Sequence, residues 1–458
     1  MSLKSWRTRS FFIELKPKSE FASLFIDCPP TEENGQACNN NHSGTLDESN
    51  ERKSSHVEEA AASTSKELLD RKEMVHIRED SIEMNAAVDK TEDIQSNLLS
   101  SYSAKFGDLV LQPNSVCALT WADNHRLFMC KVRAEVGGCP LVPKTFHRLA
   151  VDVSSRMLLD EYIESAQSHP LQAECAECSA NLLNYSENSL KMQSLPEDDW
   201  LDTSPSMEYF CRDTCGGSHS HGYHNFHSSD LISVADAQKQ WLPNESTIAI
   251  SDSYILVLKK MITPNAVNID DSSGVVHCAR CYTELGIILK KNPDIVQFHH
   301  VMCCLTLAKE SEIYINNRFG TLEHFFAWTL LYQCESQTSL KLVLRSYDKR
   351  PYLLVWLLDS YVVISQGELA IASRGEEENN LIFSFPALKM LYKIFDSESA
   401  KTDPRANGED ASVAILDMPL ICCVKFTEVL LESSLALPPA GRSVGQFYVR
   451  LYICICHE

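Results

Sequence analysis

Cys175-Ala-Glu-Cys178 and, about a hundred residues on, Cys278-Ala-Arg-Cys281 are the stretches whose reading decides how this chain is held together. A C-x-x-C turn presents two thiolates to one ion, and two such turns complete a tetrahedral set of the kind structural Zn²⁺ takes. The loop between the pairs is far longer than in a zinc ribbon, so one shared ion would join distant parts of a single fold. Such an ion is a long-range staple, because binding free energy at a structural site is folding free energy. Four cysteines also close the coordination shell and leave no open position for catalysis. The competing reading is a set of unrelated reduced thiols or a redox pair.

The composition bounds the rest. With 458 residues, 44% of them apolar, the chain has material for one large domain or roughly two or three smaller ones. No charged n-region precedes a long apolar stretch, so no secretory signal is expected. The eighteen cysteines should then be reduced and Asn184-Tyr-Ser unglycosylated. No run approaches the roughly 20 apolar residues of a membrane span, and no membrane partner is expected. A net charge of -21 argues against direct nucleic-acid binding, which needs a basic footprint. These features predict a soluble, intracellular protein.

The expected class is α+β and β-rich. Residues 1–30 read as short strands, Phe11–Leu15 and Phe21–Ile26. Residues 31–104 read as an acidic disordered insert, with a transient helix around Ser65–Ile77. About nine of the net negative charges lie between residues 31 and 100, where aromatics are few. Residues 105–180 read as a strand meander closed by the first C-x-x-C, with Pro113-Asn114, Asp123-Asn124 and Gly137-Gly138 as turns. Residues 181–250 are irregular. Residues 251–450 form a mixed α/β region holding the second C-x-x-C, and 451–458 an atypical tail. Within that region the spacing predicts helices at Leu322–Tyr332, Leu388–Phe395 and Phe426–Leu435. A hairpin turn is expected at Tyr347–Pro351.

Among chemical motifs, the chain lacks a phosphate-binding G-x-x-x-x-G-K-[ST] loop, G-x-G-x-x-G, G-x-S-x-G and H-E-x-x-H. Nucleotide enzymes, serine hydrolases of that type and zinc proteases are therefore not indicated. Cys211-Arg-Asp-Thr-Cys215 followed by His219, His221, His224 and His227 has metal-binding residue types. It reads either as a contact to a partner's metal or as a mobile polar loop.

Several blocks then read together. Cys175–Cys178, Leu195-Pro-Glu-Asp-Asp-Trp200, Cys211, Ser251–Val257, Val276–Gly286 and Tyr352–Asp359 follow one another in order. In order and spacing they resemble the HECT-like family of proteins that bind ubiquitin-conjugating enzymes, described as ubiquitin-protein ligases. The resemblance covers most of residues 6–28 and 105–450. It implies, in cytoplasm and nucleus, transfer of ubiquitin from a charged conjugating enzyme to protein substrates. Polyubiquitination and proteasomal degradation would follow.

The family's conjugating-enzyme contact maps here to Leu305–Cys334, with Phe319, Phe325, Phe326 and Trp328 either as anchors or as core. A HECT-type acceptor thiol implies Cys423, or its neighbour Cys422, although the pair sits among apolar residues. Without an acceptor, a scaffold that holds the charged enzyme beside its substrate serves the same end. The alternative function implied by the family is assembly of a zinc-dependent RNA 3′-end-processing endonuclease. That role is tied to the Leu195–Trp200 segment and to a downstream Cys-His, matched by Cys211 or Cys215. Here Arg212 follows Cys211 where the family has His. The last residues, Arg450–Glu458, also depart from the family.

Overall fold

A strand buried on both faces reads as an unbroken apolar run, and one with a solvent face alternates. Both patterns recur along this chain. The structure, a computed structural model, describes residues 6–16, 19–28, 75–85, 101–122, 126–137, 171–185, 191–195, 241–307, 313–314, 319–371 and 381–453. Strands dominate them, accompanied by three α-helices, so the protein is β-rich. No helix among these residues is long and apolar enough to cross a membrane. The chain divides into unit 1 (Met1–Thr145, Leu357–Leu391 and Leu430–Glu458) and unit 2 (Phe146–Trp356 and Tyr392–Val429).

In unit 1 the strand Ser10–Leu15 is buried at every position, as its run Ser-Phe-Phe-Ile-Glu-Leu requires. It pairs antiparallel with Phe21–Asp27 on one side and with residues 363–368 on the other. Leu127–Val136 and Leu109–Ala122 continue that sheet as an antiparallel meander. Glu14, buried on this central strand, pairs with Lys389 Nζ at 2.7 Å. A lone carboxylate there would cost several kcal/mol.

The bounds expected for the disordered insert need correcting. Val75–Ile77, Ser81–Asn85 and Ser101–Phe106 are strands of a second sheet in unit 1. Ser81-Ile-Glu-Met-Asn alternates, and Ile82 and Met84 are both 0% exposed. Two fully buried side chains outweigh the acidic surroundings that made the segment look disordered. Val75–Ile77 is accordingly a strand rather than the end of a helix. Residues 31–74 and 86–100 lie outside the described residues, as do residues 138–170 of the expected strand meander.

Unit 2 holds a seven-stranded sheet running Lys191–Ser194, Thr247–Ile250, Tyr254–Leu258, Asn292–His299, Glu284–Leu289, Val275–Cys278, Val267–Ile269. A four-stranded sheet runs Ile313–Tyr314, Cys303–Leu307, Leu171–Cys175, Asn181–Tyr185. Gly286 is required where it lies, since a Cβ there would collide with the backbone of Gln297 on the next strand. Lys341–Arg345 turns through residues 346–350 into the next strand, as expected, with Ser346 N–H donating to Arg350 O.

Helix α1, Leu322–Ser336, starts at Thr321, whose hydroxyl accepts from His324 N–H at 3.2 Å. A short α2 spans Ser399–Thr402, and α3 spans Leu420–Ser434. The helix expected at 388–395 is instead the strand Phe385–Ile394. It lies inside a sheet between Phe447–Ile453 and Pro351–Glu368, and burial on both faces overrides helical spacing.

Candidate metal centre

Both C-x-x-C segments fold as the same knuckle in unit 2. Cys175 ends its strand, its N–H donates to Ala180 O at 2.9 Å, and Ser179 N–H returns to Cys175 O at 2.8 Å. Cys278 ends its own strand, its N–H donates to Thr283 O at 2.9 Å, and Tyr282 N–H returns to Cys278 O at 2.9 Å. Ser179 (φ 55°) and Tyr282 (φ 63°) both take the left-handed conformation that lets the chain reverse after the second cysteine. Arg280 Nη1 donates to Cys178 O at 3.1 Å and ties one knuckle to the other.

The four sulfurs converge. Cys175 Sγ lies 3.6 Å from Cys281 Sγ, Cys178 Sγ lies 3.6 Å from Cys278 Sγ, and all four fall within 4.8 Å of one another. Those separations are too long for a disulfide, at about 2 Å. They match the roughly 3.8 Å edge of a tetrahedron with metal–sulfur bonds of about 2.3 Å. All donors are soft thiolates, which suits zinc-like ions and not the oxygen-preferring Mg²⁺ or Ca²⁺. The residues therefore fit a metal ion of this class.

Electrostatics differ among these sulfurs. Burial pushes the Cys175 and Cys178 thiols up. Burial also opposes ionisation of Cys281, yet hydrogen bonding by Thr283, Cys178 and Cys175 outweighs it and holds this thiol down at about 6. Backbone N–H groups reach three sulfurs: Glu177 and Cys178 to Cys175, Ala180 to Cys178, and Thr283 to Cys281. Such outer hydrogen bonds orient ligands before an ion arrives. Cys175 belongs to the four-stranded sheet and Cys278 to the seven-stranded one, so an ion here joins two sheets of unit 2.

The other expected site residues fare differently. Phe319, Phe325, Phe326 and Trp328 are all buried. Phe326 stacks on Phe426 at 4.4 Å, and Phe319 packs against both Phe325 and Trp328. Of the two readings of these aromatics, core describes them, and their role as partner anchors is corrected. Helix α1 is apolar nearly all round because it is covered nearly all round.

Cys422 and Cys423 lie in the first turn of α3, each 0% exposed. Burial pushes Cys422 far up and Cys423 up to about 12. In this arrangement neither has the exposure or thiolate character of a thioester acceptor. A partner that sequence reading did not find is His299, whose Nδ1 lies 3.9 Å from Cys422 Sγ. It lies in a strand more than a hundred residues away, so no local spacing signals it. Burial lowers its pKa to about 4, leaving it neutral at pH 7. Cys211, Cys215, the four histidines and residues 196–200 lie outside the described residues. Leu195 is buried in a cluster with Leu256 and Ile295.

Apolar side chains do reach solvent beside the knuckles. Tyr282 is 72% exposed, Leu420 39% and Val424 38%. Leu420 N–H donates to Glu284 Oε2 at 2.7 Å, and Lys425 Nζ pairs with Glu177 at 3.0 Å. Helix α3 is thereby anchored to the flanks of both knuckles.

A β-rich body with paired cysteine knuckles and an exposed apolar rim invites comparison with known families. Residues 49–449 match the family described as HECT-like Ubiquitin-conjugating enzyme (E2)-binding, and the chain belongs to that family. Over 190 residues it is 26% identical to an E3 ubiquitin-protein ligase of Bos taurus, covering 38% of this chain. The match spans 46% of that relative, about half its length. No solved structure matches the chain.

Proposed function

We propose that this protein promotes ubiquitin transfer by holding a ubiquitin-charged conjugating enzyme beside a protein substrate. Membership of the conjugating-enzyme-binding family supports the partner, and the similarity to a ubiquitin-protein ligase supports the outcome. The observation that carries the scaffold route is the burial of both Cys422 and Cys423. In that route a substrate lysine amine attacks the thioester of the conjugating enzyme, the isopeptide bond forms, and the enzyme's thiol leaves. No thiol of this chain is consumed, and the gain comes from proximity and orientation.

The surface we assign to the conjugating enzyme is the rim of Tyr282, Leu420 and Val424. An exposed aromatic on a rigid support is a usual component of an interface hot spot. We assign Zn²⁺ to the four cysteines; when bound it supplies rigidity by closing the two knuckles into one support.

Single-turnover discharge of charged conjugating enzymes, read on gels with and without reductant, tests this reading. Discharge should be accelerated with no reductant-sensitive ubiquitin adduct, and Cys423→Ser should retain it. Tyr282→Ala should weaken conjugating-enzyme binding about tenfold, a typical hot-spot loss. A reductant-sensitive adduct that disappears in Cys423→Ser would replace the scaffold with a covalent mechanism. Unchanged binding in Tyr282→Ala and Leu420→Ser would remove this rim as the contact.

A further inference from the structure

Unit 1 contains a cavity of about 330 Å³ that no part of the proposed function uses. Trp6, Arg7, Asp27, Arg126, Pro439 and Arg442 line it. Among the described residues that line it, three arginines accompany a single carboxylate, an excess of two positive charges in a chain of net charge -21.

The lone acid is already engaged. Asp27 is buried, accepts from Trp6 Nε1 at 2.9 Å through one oxygen, and pairs with Arg126 Nε at 2.9 Å through the other. Arg126 also donates from Nη2 to Thr8 at 3.2 Å. These bonds fix the Arg126 fork at the cavity wall. Arg442 donates from Nε to Leu437 O and from Nη2 to Leu435 O, which restrains its guanidinium fork at the cavity wall. The Arg7 side chain is exposed and makes no hydrogen bond or ion pair among the described residues.

Two restrained guanidinium forks and an exposed one suit planar or tetrahedral oxyanions, which accept in pairs from such groups. Trp6 and Pro439 add apolar walls. The volume sits at the small end of ligand pockets, enough for one anionic side chain or a small free anion. We propose that this cavity binds an oxyanion, the phosphate or carboxylate of an acidic peptide side chain or of a small free anion. The inference does not depend on the conjugating-enzyme reading.

Titration of the full chain with a fluorescein-labelled phosphoserine hexapeptide, its glutamate and serine counterparts, and inorganic phosphate as competitor tests it. The phosphoserine peptide should bind at least about tenfold more tightly than the serine peptide. Arg7→Gln should cost about tenfold, the loss of one charge-assisted hydrogen bond, and Arg7→Glu more. Because Arg7 is exposed, neither change should move the melting temperature. Full displacement by inorganic phosphate would assign the site to the anion alone, and partial displacement to the anion in a peptide context. Equal binding of the glutamate peptide would extend the site to carboxylates. Absence of binding by every probe, or wild-type affinity in both Arg7 variants, would overturn the proposal.

Discussion

Unit 2 contains cysteine pairs of two kinds, and their fates are opposite. In the knuckles, two residues separate the cysteines, and a backbone reversal after each pair turns all four sulfurs toward one point. In α3, Cys422 and Cys423 are adjacent on a helix, project about 100° apart around its axis, and are fully buried. The same thiol becomes a ligand in one place and a small hydrophobe in the other. What differs is the company: N–H donors and other sulfurs at the knuckles, burial and nearby carboxylates at the helix.

The sharpest way to break this contrast is to remove a knuckle ligand. Cys278→Ser should lower stability by several kcal/mol, on the order of 5, and abolish bound metal measured by elemental analysis. Chelator treatment of the wild type should move the melting temperature in the same direction. Metal-free wild type with an unchanged melting curve would make the knuckles rigid without an ion.

The next effect concerns His299, the buried neighbour of Cys422. Its pKa is lowered to about 4, so between roughly pH 6.5 and 4 the unfolded chain binds the proton that the folded chain refuses. Stability should therefore fall as pH drops through that window, by up to about 3 kcal/mol from this group. Comparing wild type with His299→Gln by denaturant melts at pH 7 and pH 4.5 isolates the contribution. Parallel pH profiles would show that His299 is solvated.

Smaller still, Cys423→Ser should cost about 1–3 kcal/mol by burying a hydroxyl in an apolar site, with metal content unchanged. Loss of metal in that variant would erase the distinction between the two kinds of cysteine. The smallest expected change is a gain. Ser179→Gly should raise stability by at most about 1 kcal/mol, because Ser179 holds a positive φ that glycine adopts freely. Guanidinium melts of the metal-loaded protein would measure it.

How much was legible beforehand follows the range of the interactions involved. The C-x-x-C knuckles could be read because a turn of a few residues places both sulfurs locally, and only their meeting needed long-range contacts. The strand Ser10–Leu15 was legible from its apolar run. Ser81–Asn85 also alternates, but it lies inside an acidic stretch whose average composition concealed it. Phe385–Ile394 has helical spacing yet sits in the middle of a sheet, where its neighbours and not its own periodicity settle its conformation.

The aromatic group of α1 shows the limit most plainly. Its sequence determined a helix with a large apolar surface, started at Thr321. Whether that surface faces a partner or the core of its own chain depends on what covers it, and only the tertiary structure decided for the core. Likewise the sequence by itself determined two thiol pairs of ligand spacing. That their four sulfurs converge, and that Cys423 lies buried while Tyr282 and Leu420 face solvent, was decided by sheet pairing across a hundred residues. Backbone turns are set by neighbouring residues, whereas burial is a property of the whole packed unit.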